Sequence, residues 1–145
     1  MVVPQVPRLK LRDCHNEVMN LEVMPANTPP TASHYAHAVV TTYPQRMLHT
    51  SGIAPINAEG MVPDGIEDQS RVVWTNLLEI LAESEMDITD VVSVTTYVVV
   101  GQPIGAVLVA RDRALKGHRA ASTVVMVSEL IRPEWLIEIA LVAAK

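Results

Sequence analysis

The sequence has few aromatic residues, few charged residues and a single cysteine. Aromatic residues make up 3% of the 145 residues, with no phenylalanine, and charged residues make up 19%, below the ~25% typical of soluble domains. The lone Cys14 cannot form an intrachain disulfide, which favours a reducing compartment, and we expect a cytoplasmic protein. Hydrophobic residues still reach 49%. The composition therefore excludes a disordered chain and predicts some apolar surface for a partner.

Long apolar runs and a basic surface are missing as well. The longest apolar run, residues 139–144, has six residues, whereas a membrane span needs ~20, so we expect no membrane span. Residues 1–10 contain two prolines and lack the pattern of a secretory leader. The net charge is -5, which argues against a nucleic-acid partner. The one basic group, residues 111–119, is interpreted as a solvated helix end.

Proline separates an N-terminal extension from the rest of the chain. Five of the ten prolines lie within the first 30 residues, where they favour extended or coil backbone. We therefore predict a proline-rich extension over residues 1–31, with one short strand at residues 18–23. Residues 32–145 are predicted to form a single domain, in keeping with a prior of roughly one domain per 150 residues.

The hydrophobic pattern of residues 32–145 predicts the element order β-β-α-β-α-β-β. The predicted strands are residues 36–41, 47–54, 91–100, 120–128 and 135–143, and the predicted helices are residues 66–83 and 103–115. Tyr43-Pro44-Gln45 predicts a hairpin turn between the first two strands. This order predicts an α+β fold with both helices on one face of the sheet.

Two charged residues lie in or beside apolar strands. Glu138 alternates with apolar neighbours, so it shares one strand face with Leu136 and Ala140. Its carboxylate is either a general acid or base, or a partner in an ion pair, or a charge that protects an edge strand. Arg119 precedes the strand at residues 120–128 and either grips a substrate carboxylate or is an exposed residue at the strand start.

The other polar candidates are weaker. His34 and His37 are three residues apart, but no cysteine or carboxylate cluster completes a metal site, so we expect no metal. Ser51 lies near the end of the strand predicted at residues 47–54 and either binds a ligand or forms an ordinary hydrogen bond. The sequence has neither a glycine-rich phosphate loop nor a G-x-S-x-G nucleophile elbow.

Five short segments, in this order, resemble the RidA family, also called the YjgF or L-PSP family. They are residues 33–39 (Ser-His-Tyr-Ala-His-Ala-Val), 48–52 (Leu-His-Thr-Ser-Gly), 65–71 (Gly-Ile-Glu-Asp-Gln-Ser-Arg), 91–97 (Val-Val-Ser-Val-Thr-Thr-Tyr) and 137–139 (Ile-Glu-Ile). The resemblance implies a fold like the Bacillus-type chorismate mutase and a homotrimer with a cleft at each subunit interface. It also implies hydrolysis of reactive enamines and imines to ammonia and a 2-keto acid, without a metal or organic cofactor.

The resemblance also implies roles for particular residues. Tyr35 and Ser51 match the family's cleft tyrosine and serine, and Glu138 matches the glutamate that activates water. Thr123 falls where the family offers a backbone N–H to the substrate carboxylate. The gripping arginine of the deaminating members has no counterpart, because Ala121 stands at its position. Arg119 lies two residues earlier, on the same face of the predicted strand.

Two main hypotheses follow from this resemblance. The first is an imine or enamine hydrolase whose catalytic residues are Glu138 and Ser51, with Tyr35, Arg119 and Thr123 binding a small carboxylate. The second is a trimer of the same fold that binds small metabolites without chemistry, motivated by Ala121. A third hypothesis is a ribonuclease role. The net negative charge and the scarcity of aromatic residues that could stack on bases argue against it.

Overall fold

Two helices cover one face of a four-stranded sheet in the computed structural model, which describes residues 19–145. The strands are β1 (Met19–Val23), β2 (Ala38–Thr42), β3 (Met47–His49), β4 (Val91–Val99), β5 (Ala121–Val127) and β6 (Ile137–Ala144), and the helices are α1 (Ile66–Glu83) and α2 (Ile104–Leu115). A short 3₁₀ turn, Ile88–Asp90, precedes β4. Cys14 and the first 18 residues of the predicted extension lie outside the described residues.

The main sheet has the strand order β3-β6-β4-β5. β6 pairs antiparallel with both β3 and β4, whereas β4 and β5 are parallel. A parallel pair needs a crossover connection, and α2 supplies it. β1 and β2 form a separate antiparallel pair. An isolated parallel bridge between Ala36 and Ala121 joins the segment before β2 to the start of β5.

The core lies between the helices and the sheet. α1 buries residues that recur at helical spacing, including Val73, Leu77 and Leu81. They belong to one cluster of buried residues with β4 and β6 side chains such as Val94 and Ile139. The α+β class and the predicted order of elements after residue 32 are confirmed. Within the described range, no helix has the length and apolar character needed to cross a membrane.

The predicted hairpin at residues 43–45 is wrong. β2 pairs with β1, and β3 pairs with β6, so the two strands on either side of this turn are not partners. Tyr43 adopts a left-handed backbone conformation with φ 53°, and the N–H groups of Gln45 and Arg46 both donate to the carbonyl of Lys145 at 2.8 and 2.6 Å. These long-range bonds join the segment after Tyr43 to the residue that follows β6. A turn pattern in the local sequence cannot reveal such a long-range contact.

Candidate functional site

Polar side chains gather on the sheet face opposite the helices. On β6, Ile137, Ile139 and Leu141 are buried toward the helices, whereas Glu138 and Ala140 are only partly buried. This is the alternation that the sequence predicts. We call this sheet face, opposite the helices, the open face. The strand pairing places further residues on it, namely Ser93, Thr95 and Tyr97 of β4, and Thr123 and Val125 of β5.

The Glu138 carboxylate lies directly over the backbone of Gly52. A Cβ atom built on Gly52 would be 1.9 Å from Glu138 Oε1 and 2.6 Å from Glu138 Cδ. Only a residue without a side chain leaves room for the carboxylate in this position. Gly52 follows Ser51 in the chain, so the structure brings Ser51 and Glu138 to the same part of the sheet.

Two hydrogen-bonded anchors hold the Ser51–Gly52 segment beside β6. On one side, the Thr50 N–H donates to the carbonyl of Leu141 at 3.0 Å, and the Thr50 hydroxyl accepts from the Leu141 N–H at 3.0 Å. On the other side, the Ile53 N–H donates to the carbonyl of Ile139 at 2.8 Å. The two residues between these anchors are exposed, and their backbone is held close to Glu138.

Tyr97 is a neighbour of Glu138 that is absent from the site residues predicted from the sequence. The two residues are directly opposite each other in the β4–β6 register, and such pairs have Cβ atoms about 4.5–5.5 Å apart on the same face. The sequence shows that Tyr97 lies in a strand, but not which residue of another strand faces it.

A second group of candidates surrounds the start of β5. The Ala36 N–H donates to the carbonyl of Ala120 at 3.0 Å, which places Tyr35 beside the segment that carries Arg119. Thr123 pairs with Thr95 on the open face. The structure therefore places Tyr35 beside the start of β5, with Arg119 just before this point and Thr123 further along the strand.

Arg119 already binds a carboxylate of its own chain. Its Nη2 donates to Glu22 Oε2, and both side chains are 36% exposed. Glu22 belongs to β1, within the segment that the sequence analysis assigns to the extension. The pair shows that this guanidinium is placed to receive a carboxylate from the side of β1.

The two groups of candidates do not meet within one chain. Ser51 and Glu138 belong to the β3–β6 side of the sheet, whereas Tyr35, Arg119 and Thr123 belong to β5 and its neighbourhood. β4 lies between β6 and β5, and two strand spacings amount to about 10 Å.

Arg111 corrects one sequence-based interpretation. The basic group at residues 111–119 is expected to be solvated, but Arg111 is only 3% exposed. α2 buries Val107, Arg111, Ala114 and Leu115, a helical spacing that turns Arg111 toward the sheet. The helical spacing of these four residues is the pattern in the sequence that could have predicted the burial of Arg111.

The two histidines each contact a backbone carbonyl. His34 Nε2 lies 3.0 Å from the oxygen of Gly117, and His37 Nε2 lies 2.7 Å from the oxygen of Pro29. Among residues 19–145 there is no group of three or more His, Cys, Asp or Glu side chains that could hold a metal ion.

An open groove of about 700 Å³ lies on the other side of the sheet. Its lining residues come from α1, α2 and their flanks, including Trp74, Leu78 and Val109. The helices cover the sheet face opposite Glu138, so this groove is separate from both groups of candidates.

Comparisons with known proteins agree on one family. The sequence model of the protein family described as endoribonuclease L-PSP matches residues 25–145. A structure from Yersinia pestis, YyfB of the conserved Rid protein family, of unknown function, is 30% identical over 87% of this chain and 98% of that chain, with a TM-score of 0.77. A candidate endoribonuclease from Thermotoga maritima is 30% identical over 88% of this chain and 98% of that chain, with a TM-score of 0.65.

A more distant structure shares the fold alone. TdcF of Escherichia coli, solved with bound serine, is 19% identical over 86% of this chain and 98% of that chain, with a TM-score of 0.65. A comparison with curated proteins gave no match.

Proposed function

The chain belongs to the Rid family, also described as endoribonuclease L-PSP, and on this premise we propose that it hydrolyses small 2-imino acids and their enamine tautomers. The products are ammonia and the corresponding 2-keto acid. In this reaction the oxygen of one water molecule forms a bond to the imine carbon. The C–N bond then breaks, and the nitrogen leaves as ammonia with both protons of that water. No electrons are exchanged, so the reaction needs neither an oxidant nor a reductant.

The observation that carries this proposal is the position of the Glu138 carboxylate over Gly52. A carboxylate that is partly buried and sterically confined can hold one water molecule and accept its proton as the water attacks. We assign this role to Glu138. The neighbouring hydroxyl of Ser51 orients the water or the departing nitrogen.

The substrate carboxylate is assigned to the second group of residues. Arg119 supplies the charge, the exposed Thr123 hydroxyl supplies a hydrogen bond, and Tyr35 closes the pocket from the adjacent segment. The contact between Arg119 and Glu22 supports this assignment, because a guanidinium that holds one carboxylate can exchange it for another.

A homotrimer would bring the two groups of residues together. Within one chain β4 separates them, so a complete cleft needs the Glu138 side of one copy to face the Arg119 side of the next. Exposed apolar residues on β5, such as Val125 at 37% and Met126 at 46%, support such a contact. We expect light scattering to report the mass of three chains, and a monomer would contradict this assembly.

The decisive experiment measures ammonia and keto acid released from freshly generated imino acids. We expect wild-type protein to accelerate release, also in the presence of a chelator, and Glu138→Gln to lose about 100-fold or more in kcat. Glu129→Gln removes an equally negative charge from an exposed loop residue and serves as the control. Equal turnover by Glu138→Gln and wild type would contradict the role of Glu138.

A second candidate function is binding of a small amino or keto acid without chemistry. The observation that favours it is Ala121 at the position of the gripping arginine. The bound serine of TdcF supports a ligand of this class. Calorimetric binding of serine or pyruvate, with no ammonia released from imino acids, would support this function. Salt-dependent cleavage of RNA would instead support the ribonuclease hypothesis.

A further inference from the structure

The Arg111 guanidinium is a buried charge that the proposed reaction does not use. The side chain is 4% exposed, whereas its ionic partner Asp112 is 41% exposed. Burying a guanidinium costs considerable free energy unless its N–H groups are paired. The partners of Arg111 therefore show which parts of the fold this charge holds together.

Arg111 joins three segments of the chain. Its Nε and Nη2 donate to Asp112 Oδ1 at 2.9 and 2.7 Å, within α2. Nη2 also donates to the hydroxyl of Ser33 at 2.8 Å, and Nη1 donates to the hydroxyl of Ser122 at 3.3 Å. One side chain thus ties α2 to the segment before β2 and to the start of β5.

Both serine partners are next to residues assigned to the substrate carboxylate. Ser33 precedes Tyr35 by two residues, and Ser122 immediately precedes Thr123. The Ala36 N–H bond to Ala120 connects the same two segments directly. Arg111 is buried on the side of the sheet that the helices cover, so it does not line the open face that carries Thr123 and Glu138.

We propose that Arg111 is a positioning residue that holds the Tyr35 segment against the start of β5 and thereby sets the affinity for the substrate carboxylate. The proposal rests on the proposed function. Because Glu138 lies on another strand, beside Gly52, loosening this junction raises KM and leaves kcat nearly unchanged.

Kinetics of three variants test this role. Ser33→Ala removes one bond and leaves Arg111 buried and paired with Asp112, so the fold is retained. Arg111→Lys keeps the charge but loses the planar fork that reaches both serines. We expect both to raise KM about 5- to 10-fold with kcat within about 2-fold. Arg113→Met, at an exposed position of the same helix, is the control and keeps the wild-type KM.

Amide hydrogen exchange gives a readout that does not depend on activity. The Ala36 N–H reports on the junction through its bond to Ala120, and the Ile53 N–H reports on the Glu138 side through its bond to Ile139. We expect Ser33→Ala and Arg111→Lys to accelerate exchange at Ala36 and not at Ile53. Equal acceleration at both amides would show that the substitutions destabilise the whole fold and not the junction in particular, and it would overturn the proposal.

The two proposals fail in distinguishable ways. If the wild-type protein neither hydrolyses imino acids nor binds a keto acid, the proposed function fails, and the exchange at Ala36 still decides whether Arg111 holds the junction. If wild type is active, and KM and Ala36 exchange are unchanged in Ser33→Ala and Arg111→Lys, the positioning role of Arg111 fails and the proposed function stands.

Discussion

The carboxylate of Glu138 occupies the space that a side chain at Gly52 would need, since a Cβ there would lie 1.9 Å from Oε1. Gly52 is not among the glycines with a positive φ, so alanine at this position meets no backbone strain. The conflict is with the end of a flexible side chain. An alanine therefore moves the carboxylate and leaves the backbone in place.

Gly52→Ala is expected to lower turnover by 10- to 100-fold, because displacing a reacting group by about 1 Å has effects of this size. Melting temperature should change by only a few degrees. Gly105→Ala is the control, since a Cβ at Gly105 has no atom within 4 Å and helical Gly→Ala stabilises by roughly 0.5–1 kcal/mol. Full activity of Gly52→Ala would contradict the assigned position of the Glu138 carboxylate.

Glu22→Gln is expected to tighten binding of a keto acid such as pyruvate. Glu22 competes for Arg119 in the free protein, and an exposed ion pair is worth about 0.2–1 kcal/mol, so the gain should not exceed about 5-fold. Calorimetry at low and high salt measures it, with the exposed Glu67→Gln as control. Weaker binding by Glu22→Gln would show that Glu22 holds Arg119 in its binding position.

Gln69→Leu is expected to destabilise the fold. The buried Gln69 side chain donates to the carbonyls of Pro63 and Glu134 at 3.0 and 2.8 Å and accepts from the Leu136 N–H at 2.8 Å. Leucine leaves these backbone groups without partners, at a cost of about 2–4 kcal/mol.

Urea denaturation measures the effect of Gln69→Leu as a lower midpoint with an unchanged slope. Gln45→Leu is the control. The exposed Gln45 side chain makes a single long hydrogen bond, so the urea midpoint of this variant should stay close to that of wild type. A Gln69→Leu protein as stable as wild type would show that the three bonds contribute little.

Asp87→Ala is expected to destabilise the protein at neutral pH and less in acid. The hydroxyl and N–H of Thr89 donate to the Asp87 carboxylate, and these bonds hold the pKa of Asp87 below its ordinary value of 3.8. A carboxyl whose pKa is lower in the folded state stabilises the fold above its unfolded pKa. That contribution disappears as the pH falls through the folded pKa.

Asp87 caps the 3₁₀ turn Ile88–Asp90. The cost of Asp87→Ala at pH 7 should be about 0.5–1 kcal/mol, at the low end for a capping residue because this site is exposed. Urea denaturation of wild type and variant should differ at pH 7 and converge below pH 4, a boundary that follows from the pKa of 3.8. Asp64→Ala, at another exposed site, is the control. A difference that persists at low pH would mean that the cap does not depend on the charge.

Local patterns sufficed for most elements of this fold, although the strand predicted at residues 47–54 extends only from Met47 to His49. The helix predicted at residues 66–83 is α1, and the strand predicted at residues 91–100 is β4 within one residue. The alternation that places Glu138 on the open face also depends only on neighbours in the chain. Hydrophobic periodicity is a property of consecutive residues, so it can be read without knowing the partners.

The relations between distant segments were decided by the tertiary structure. The hairpin at residues 43–45 was mispredicted because Lys145 binds the chain after Tyr43. Pairing register places Tyr97 opposite Glu138, and close packing sets the carboxylate over Gly52. Arg111 is buried because its partners Ser33 and Ser122 come from other elements. Sequence determined which residues form strands and helices, whereas long-range hydrogen bonds and packing determined which side chains meet.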